Sequence, residues 1–178
     1  MAKYLCALFA ALFSGCASIP KGVSPVSGFE LKRYLGTWYE IARLDHPFER
    51  GLVGATAEYS QRADGGVDVV NRGYDPAAKK WKKAAGRAYF TSDPSVGSLK
   101  VSFFRPFYGG YNIIDLAPDY TYAMVAGPGF SYLWILSRTP ELPQAVVERL
   151  KAKAAGLGFP AGKLVFPGTA PADAPAAS

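Results

Sequence analysis

The sequence predicts an all-β protein: an eight-stranded antiparallel up-and-down β-barrel with one C-terminal α-helix packed outside. Eight stretches have the alternation and the aromatic or β-branched content of strands. Short turn sequences separate them, and no connection is long enough for a parallel crossover. Such a barrel is just wide enough to hold one small ligand. The strand-like stretches are 36–43, 54–61, 67–73, 84–91, 98–104, 111–116, 120–126 and 132–138.

The first strand, 36–43, has a glycine two residues before a tryptophan. Trp38 needs a large buried slot, and Gly36 lets the backbone enter a crowded corner. Strict alternation along the strand puts Glu40 on the same face as Trp38 and Arg43 on the opposite face. Glu40 would then be a buried carboxylate that needs partners, and we expect it to have a structural role at the closed end of the barrel.

The connections between the middle strands contain typical turn formers. Asp64-Gly65-Gly66 predicts a hairpin, and Asp75-Pro76, Asp93-Pro94 and Ala117-Pro118-Asp119 predict further turns. Strand direction then puts the connections near 44–53, 75–83, 105–110 and 127–131 at the open end of the barrel. The other connections lie at the closed end.

The last strand, 132–138, ends in Arg138. If it pairs antiparallel with the first strand, Arg138 arrives beside Trp38 at the same end of the barrel. A guanidinium stacked on an indole contributes roughly 0.5–2 kcal/mol. Because Tyr132 and Trp134 share the face of Arg138, they should line the space above this pair.

The stretch 139–155 predicts the one clear helix, with Thr139 as N-cap, Pro140 in the first position and Gly156 as its end. A turn of helix over 29–34 should close the base of the barrel. A short strand over 163–166 should add to a sheet edge.

The first residues form an apolar run that is too short to span a bilayer stably and predicts a signal peptide. The segment that follows is rich in Pro, Gly and Ser and predicts a flexible tether. The last residues are rich in Pro and Ala, which predicts disorder. We therefore divide the chain into a signal peptide 1–15, a tether 16–28, a barrel domain 29–166 and a disordered tail 167–178.

The residues at the end of the signal peptide, Leu12 to Cys16, resemble the lipobox of bacterial lipoproteins. This resemblance implies that cleavage leaves Cys16 as the first residue, acylated on sulfur and nitrogen. Several acyl chains would hold the protein on a membrane. Ala17 follows in place of the Asp that retains lipoproteins at the inner membrane, which favours the outer membrane and its periplasmic face. An ordinary signal peptide cut near Ser18 is the alternative.

Cysteine and histidine counts exclude several kinds of chemistry. Cys6 lies in the predicted signal peptide and Cys16 would be acylated, so the folded domain has no thiol for a disulfide or for catalysis. His46 is the single histidine, which excludes a multi-histidine metal centre. We expect neither a metal nor a cofactor. The formal net charge of +6 suits anionic lipid surfaces, and no motif points to nucleic acid.

Gly36-x-Trp38, Asp119-Tyr120 and the terminal Arg138 resemble the three sequence signatures of the lipocalins. The resemblance is closest to the bacterial lipocalins, an outer-membrane lipoprotein branch of that family. It implies a membrane-anchored carrier of fatty acids or lysophospholipids, with a role in lipid storage, transport or maintenance and without enzymatic activity. It covers most of residues 29–166 and is densest over 36–43, 45–51, 101–112 and 132–140.

Alternation within the strands identifies the side chains that should face the cavity. Small residues among them leave room, and aromatic residues form walls. For any single position, a role in the packed core is the simpler alternative. Tyr59, Asn71 and Tyr111 are the polar candidates for contact with a headgroup. The predicted ligand-binding residues are Ala57, Tyr59, Val69, Asn71, Ala88, Phe90, Val101, Phe103, Tyr111, Ile113, Ala123, Val125, Tyr132 and Trp134.

Other hypotheses stay open. An enzyme acting on a bound lipid would need a titratable group in the lumen, for which Glu40 and Asp115 are the candidates. A structural lipoprotein would have a filled core. Four lysines around Trp81, within 79–83, would dock on anionic headgroups or simply form a solvated hairpin tip. The segment 107–110 would be an entrance flap. We expect a monomer or a weak homodimer.

Overall fold

A computed structural model of the chain describes residues 18–176. It contains a closed antiparallel β-barrel in which each strand pairs with the next and the first pairs with the eighth. The predicted fold is therefore confirmed. The strands are β1 (Gly36–Leu44), β2 (Val53–Gln61), β3 (Val67–Asp75), β4 (Lys80–Phe90), β5 (Ser98–Phe104), β6 (Phe107–Leu116), β7 (Tyr122–Ala126) and β8 (Leu133–Ser137).

Four further elements within residues 18–176 flank the barrel. Helix α1 (Leu31–Tyr34) lies at its closed end, and helix α2 (Gln144–Gly156) follows β8. A 3₁₀ turn (Ala161–Lys163) leads into a ninth strand, β9 (Leu164–Val165), which pairs antiparallel with the end of β1. No helix within residues 18–176 is long and apolar enough to cross a membrane.

Helix α2 begins four residues later than we predicted. Pro143 occupies the N-cap position, and a residue that precedes proline is driven out of the α region, so Leu142 cannot start the helix. Thr139 does not cap α2, because its hydroxyl donates to the carbonyl of Glu141 at 2.7 Å. The helix packs Leu150 and Ala154 against the outer face of the barrel.

Two hairpins at the open end are longer than we predicted. The β3–β4 ladder continues to the pair Asp75–Lys80, so most of the lysine cluster lies on a strand instead of in a loop. Trp81 packs edge-on against Tyr74 across this ladder, with ring centroids 5.6 Å apart. In the β5–β6 hairpin the segment 107–110 belongs to β6 and pairs with β5, so it is not a loop flap.

A β-bulge in β1 changes which residues face the interior. The register against β8 shifts between Glu40 and Ala42, and a bulge of this kind resets the alternation of side chains. Trp38 packs in the inner cluster, whereas Ala42 and Leu44 pack outside against the helical layer. Arg43 consequently lies on the inner side with Glu40, and our assignment of these two residues to opposite faces is wrong.

A second bulge, in β6, removes one candidate from the lumen. The register against β7 shifts between Ile113 and Asp115, so Ile113 packs inside. Asp115 lies against α2, where it accepts contacts from Arg149 at 3.2 Å and Lys153 at 2.7 Å. These cations hold the pKa of Asp115 below its ordinary value despite partial burial. Asp115 is an anchor for the helix, and its prediction as a lumen carboxylate is wrong.

The closed end is built on Trp38, which is completely buried. The Arg138 guanidinium lies 3.9 Å from the indole centroid and donates to the carbonyls of Thr37 (2.9 Å) and Arg33 (2.7 Å). Gly36 has a φ of +92°, and a Cβ there would lie 3.5 Å from Arg138. The cation therefore seals the floor of the barrel and ties α1 to it.

The remaining motif residues form the neighbouring turn. Asp119 accepts a hydrogen bond from the Thr121 hydroxyl at 2.7 Å, which fixes the connection between β6 and β7. The Tyr120 hydroxyl accepts from the backbone N–H of Glu30 at 2.9 Å, and Arg33 lies over the Tyr120 ring. This turn therefore holds the segment that leads into α1.

Both terminal segments run along the outside of the barrel. Ser18 donates to the carbonyl of Pro128 at 3.3 Å, and farther along the backbone N–H of Val26 donates to Ile113 at 2.8 Å. The tail that we expected to be disordered contacts two strands: Gly168 accepts from the N–H of Gly54 at 2.9 Å, and Trp81 donates to Pro175 at 2.6 Å.

Candidate functional site

The predicted ligand-binding residues lie around one interior. Twelve of the fourteen belong to a single apolar cluster with Trp38. The other two lie outside this cluster. Asn71 is polar and pairs across the sheet with Ala57. Tyr132 lies near the open end and stacks on His46, with ring centroids 4.6 Å apart. The twelve are Ala57, Tyr59, Val69, Ala88, Phe90, Val101, Phe103, Tyr111, Ile113, Ala123, Val125 and Trp134.

Burial in this interior differs between the floor and the open end. Trp38 and Ile113 are completely buried there. In contrast, Val101, Phe103 and Trp134 face the same interior but are only half-buried, although a closed sheet surrounds them. Burial of the inward side chains is therefore less complete toward the open end of the barrel.

Three tyrosine hydroxyls form a chain inside the barrel. The Tyr111 hydroxyl lies 2.7 Å from that of Tyr34 and 2.8 Å from that of Tyr59. Burial raises the pKa of all three, so each phenol keeps its proton. Two contacts use two of the three protons, which leaves one O–H donor for an acceptor outside the trio. Sequence analysis missed Tyr34, whose position four residues before Trp38 was the available signal.

Glu40, Arg43 and Glu49 form a charged group inside the barrel, which we term the inner ion cluster. Arg43 pairs with the Glu40 carboxylate, and these side chains are 3% and 7% exposed. Arg43 also donates to the backbone carbonyl of Glu49 at 2.8 Å, and Trp134 Nε1 donates to the Glu49 carboxylate at 3.0 Å. The expected position of Glu40 at the closed end is wrong, because its partner Arg43 contacts the β1–β2 connection at the open end.

Burial shifts the acid–base properties of the inner ion cluster. Burial and the nearby Glu49 raise the pKa of Glu40 to about 7, against the opposing effect of Arg43. Burial also raises the pKa of Glu49, although its bond from Trp134 and the charge of Arg43 oppose the change. The cluster therefore changes its net charge near neutral pH.

Several buried polar atoms near this cluster have no hydrogen-bond partner within residues 18–176. They are His46 Nε2, Arg43 Nε and, on β3, Asn71 Oδ1. The His46 ring lies between Tyr132 and Phe48, and burial lowers its pKa, which favours the neutral imidazole. Buried polar atoms are costly unless they are paired, so these three are suited to a polar group that enters the barrel.

Glu40 makes stability depend on pH in an unusual direction. Its pKa is about 7 in the folded protein and 4.5 in the unfolded chain, so the folded protein holds a proton that the unfolded chain releases between these values. The contribution of Glu40 to the free energy of unfolding should therefore fall as the pH rises through this window and then level off. The lowered pKa of His46 adds an opposite slope, so the contribution of Glu40 is taken as the difference between the wild type and Glu40→Gln. Urea unfolding of both proteins at several pH values measures this difference, and a difference that rises across the window would contradict the prediction.

Comparison with known proteins identifies the relatives of this barrel. A family model described as "Lipocalin-like domain" matches residues 29–168. "Outer membrane lipoprotein Blc" of Citrobacter freundii is 56% identical over 147 residues, which is 83% of each chain. The protein of that name from Vibrio cholerae is 49% identical over 160 residues, covering 89% of this chain and 94% of its own.

Solved structures show the same fold in more distant proteins. Insecticyanin from the tobacco hornworm Manduca sexta superposes with a TM-score of 0.69 at 20% identity, over 89% of this chain and 90% of its own. The cockroach allergen Per a 4 gives a TM-score of 0.67 at 17% identity, over 88% and 96%. At these identities the likeness extends to the barrel alone.

Proposed function

The chain belongs to the lipocalin family, and from that premise we propose that it is a membrane-anchored protein that holds a fatty acid or a lysophospholipid in its barrel. Lipocalins bind small hydrophobic ligands. The names of its bacterial relatives support an outer-membrane location. Cys16, the proposed acylation site, lies outside the described residues. A role in the storage, transport or maintenance of outer-membrane lipids follows from this location.

The observation that carries the proposal is an apolar interior with a single charged group on its inner wall. Burial of about ten methylenes against such walls gives roughly 8 kcal/mol at about 0.8 kcal/mol each. The cost of ordering a flexible chain and of association reduces this to micromolar affinity or slightly tighter. A single-chain amphiphile fits an interior that is apolar over most of its surface and has its charged side chains gathered in one place.

The inner ion cluster is the proposed position of the headgroup. Arg43 Nε has no hydrogen-bond partner within residues 18–176 and lies 3.9 Å from the Asp45 carboxylate, and His46 Nε2 also lacks a hydrogen-bond partner there. Glu40, with a pKa of about 7, is partly protonated at neutral pH, so the cluster carries less negative charge than two free carboxylates would. An anionic carboxylate or phosphate is therefore less strongly repelled. The spare tyrosine proton deeper in the barrel is a second polar contact.

Titration of the delipidated protein with palmitate and with lysophosphatidylethanolamine tests the proposal. Trp134 should change its emission saturably at micromolar ligand because it borders the interior. Trp38, which is completely buried in the floor, should change little. The Trp134→Phe variant is the control, since it should keep ligand binding by calorimetry but lose most of the signal. No response by either method to either lipid would refute the proposal.

An enzyme acting on the bound lipid is the alternative. Asp115 no longer supports it, because this residue lies against α2. Glu40 does, since a carboxyl with a pKa of about 7 can transfer protons at neutral pH. The relatives reported above carry the names of lipoproteins rather than enzymes. Mass spectrometry of a bound lysophospholipid after long incubation separates the two functions, because a binding protein returns the ligand unchanged.

A further inference from the structure

The open end of the barrel carries several exposed aromatic side chains. Phe48, in the β1–β2 connection, is 64% exposed, and Phe104, at the tip of the β5–β6 hairpin, is 82% exposed. Phe107 at the same tip is 61% exposed. In an up-and-down barrel these two connections lie at the same end, opposite the end sealed by Trp38 and Arg138. We call this surface, formed by 45–52, 76–79, 104–107 and 127–132, the mouth rim.

The mouth rim and the strand ends beside it also carry basic side chains. Arg50, Lys79 and Arg105 are exposed on the rim, and Lys80 and Lys83 follow at the start of β4. Asp45 is already paired with Arg50 at 2.6 Å, and Asp75 with Lys82 at 2.8 Å. That leaves Lys79, Lys80, Lys83 and Arg105 without an ion-pair partner within residues 18–176, and exposed phenylalanines beside such cations are typical of a surface that meets anionic lipid headgroups.

The start of the described chain lies at this same end. Ser18 donates to the carbonyl of Pro128, in the β7–β8 connection, at 3.3 Å. Its own carbonyl accepts from Asn112 at 3.4 Å. Cys16 precedes Ser18 by two residues, a span of at most about 7 Å. Acyl chains on Cys16 would therefore enter a membrane next to the mouth rim, whatever the course of those two residues.

We propose that the mouth rim docks on the membrane that holds the acyl chains, so that the barrel opens directly into the lipid surface. The position of Ser18 and the exposure of the phenylalanines are independent observations that select the same end of the molecule. The inference rests on the proposed function, because it needs acylated Cys16. A lipid would pass between bilayer and barrel without crossing bulk water.

Depth-dependent quenching tests the orientation in the mature, acylated full chain. A mature chain with Cys16 acylated has no free thiol, so a single introduced cysteine takes one fluorescent label. Phe104→Cys labels the mouth rim, and Ser92→Cys, at an exposed site between β4 and β5, is the matched label at the closed end. The protein is placed in vesicles of phosphatidylethanolamine and phosphatidylglycerol that contain lipids with a spin label in the acyl chain.

The label at residue 104 should be quenched several-fold more than the label at residue 92. Equal quenching, or stronger quenching at residue 92, would overturn the proposal. The label at residue 104 could instead become buried as the protein concentration rises without vesicles, with a dimer seen in sedimentation. That result would assign the rim to a second copy of the chain and would also overturn the proposal. Mass spectrometry of Cys16 and a palmitate titration on the same sample report separately on the anchor and on the ligand.

Discussion

Replacing Arg43 with methionine is expected to lower the free energy of unfolding by about 3–5 kcal/mol at a pH above the pKa of Glu40. The guanidinium is 3% exposed and is the cation that pairs with Glu40. Its removal leaves two carboxylates facing each other inside the barrel, and it releases the carbonyls of Glu49 and Leu52 that Arg43 holds. Urea unfolding monitored by circular dichroism measures the change.

The same substitution nearby provides the control. Arg50→Met removes an ion pair whose arginine is 64% exposed, and exposed pairs contribute only about 0–1 kcal/mol. The double variant Glu40→Gln, Arg43→Met should recover part of the lost stability, because no unpaired charge remains at position 40. A loss below about 1 kcal/mol for Arg43→Met alone would contradict the role of Arg43 as the neutralising partner.

Replacing Val101 with tryptophan is expected to weaken fatty-acid binding about 100-fold. The side chain is half-buried on the inner wall, opposite Ala88 on the neighbouring strand. An indole there would displace about three to four methylenes of a bound chain, or roughly 3 kcal/mol. Titration calorimetry with palmitate measures the affinity, and circular dichroism checks that the barrel is intact.

Val70→Trp is the matched control for this result. Val70 is also half-buried on a central strand, but it follows the inward Val69 and therefore faces outward. The Val70→Trp variant should bind palmitate with an affinity within about two-fold of the wild type, since an outward indole cannot enter the interior. If Val101→Trp bound palmitate as tightly as Val70→Trp does, the ligand would not occupy the barrel.

Much of the fold could be predicted because local patterns determine it. Alternation and turn residues define eight strands, and pairing of the first strand with the last brings Arg138 to Trp38, as found at 3.9 Å. The same alternation failed beyond the bulges in β1 and β6. Bulges depend on contacts with strands that are distant in sequence, so no pattern within 36–44 indicates that the Arg43 side chain faces inward.

The polar part of the candidate site was missed for the same reason. Glu40 and Arg43 look unrelated under strict alternation, and Glu49 lies in a connection to which alternation does not apply. The tyrosine trio joins α1, β2 and β6, three elements that are far apart in sequence. Only the closed barrel brings such residues together. The inward-facing apolar residues, in contrast, could be predicted from the alternation within each strand alone.

The ninth strand, β9, also affects how copies of the protein behave when many are anchored close together on a membrane. The hydrogen-bonded pairing of β2 with β1 ends at Tyr39, and β9 covers the edge of β1 at Arg43 and Leu44. The barrel therefore presents little unpaired backbone to a neighbour, which would otherwise act as a template for strand addition. Molecules confined to two dimensions collide far more often than free ones. Because few backbone groups are left unpaired, neighbouring copies can lie side by side without adding strands to one another's sheets.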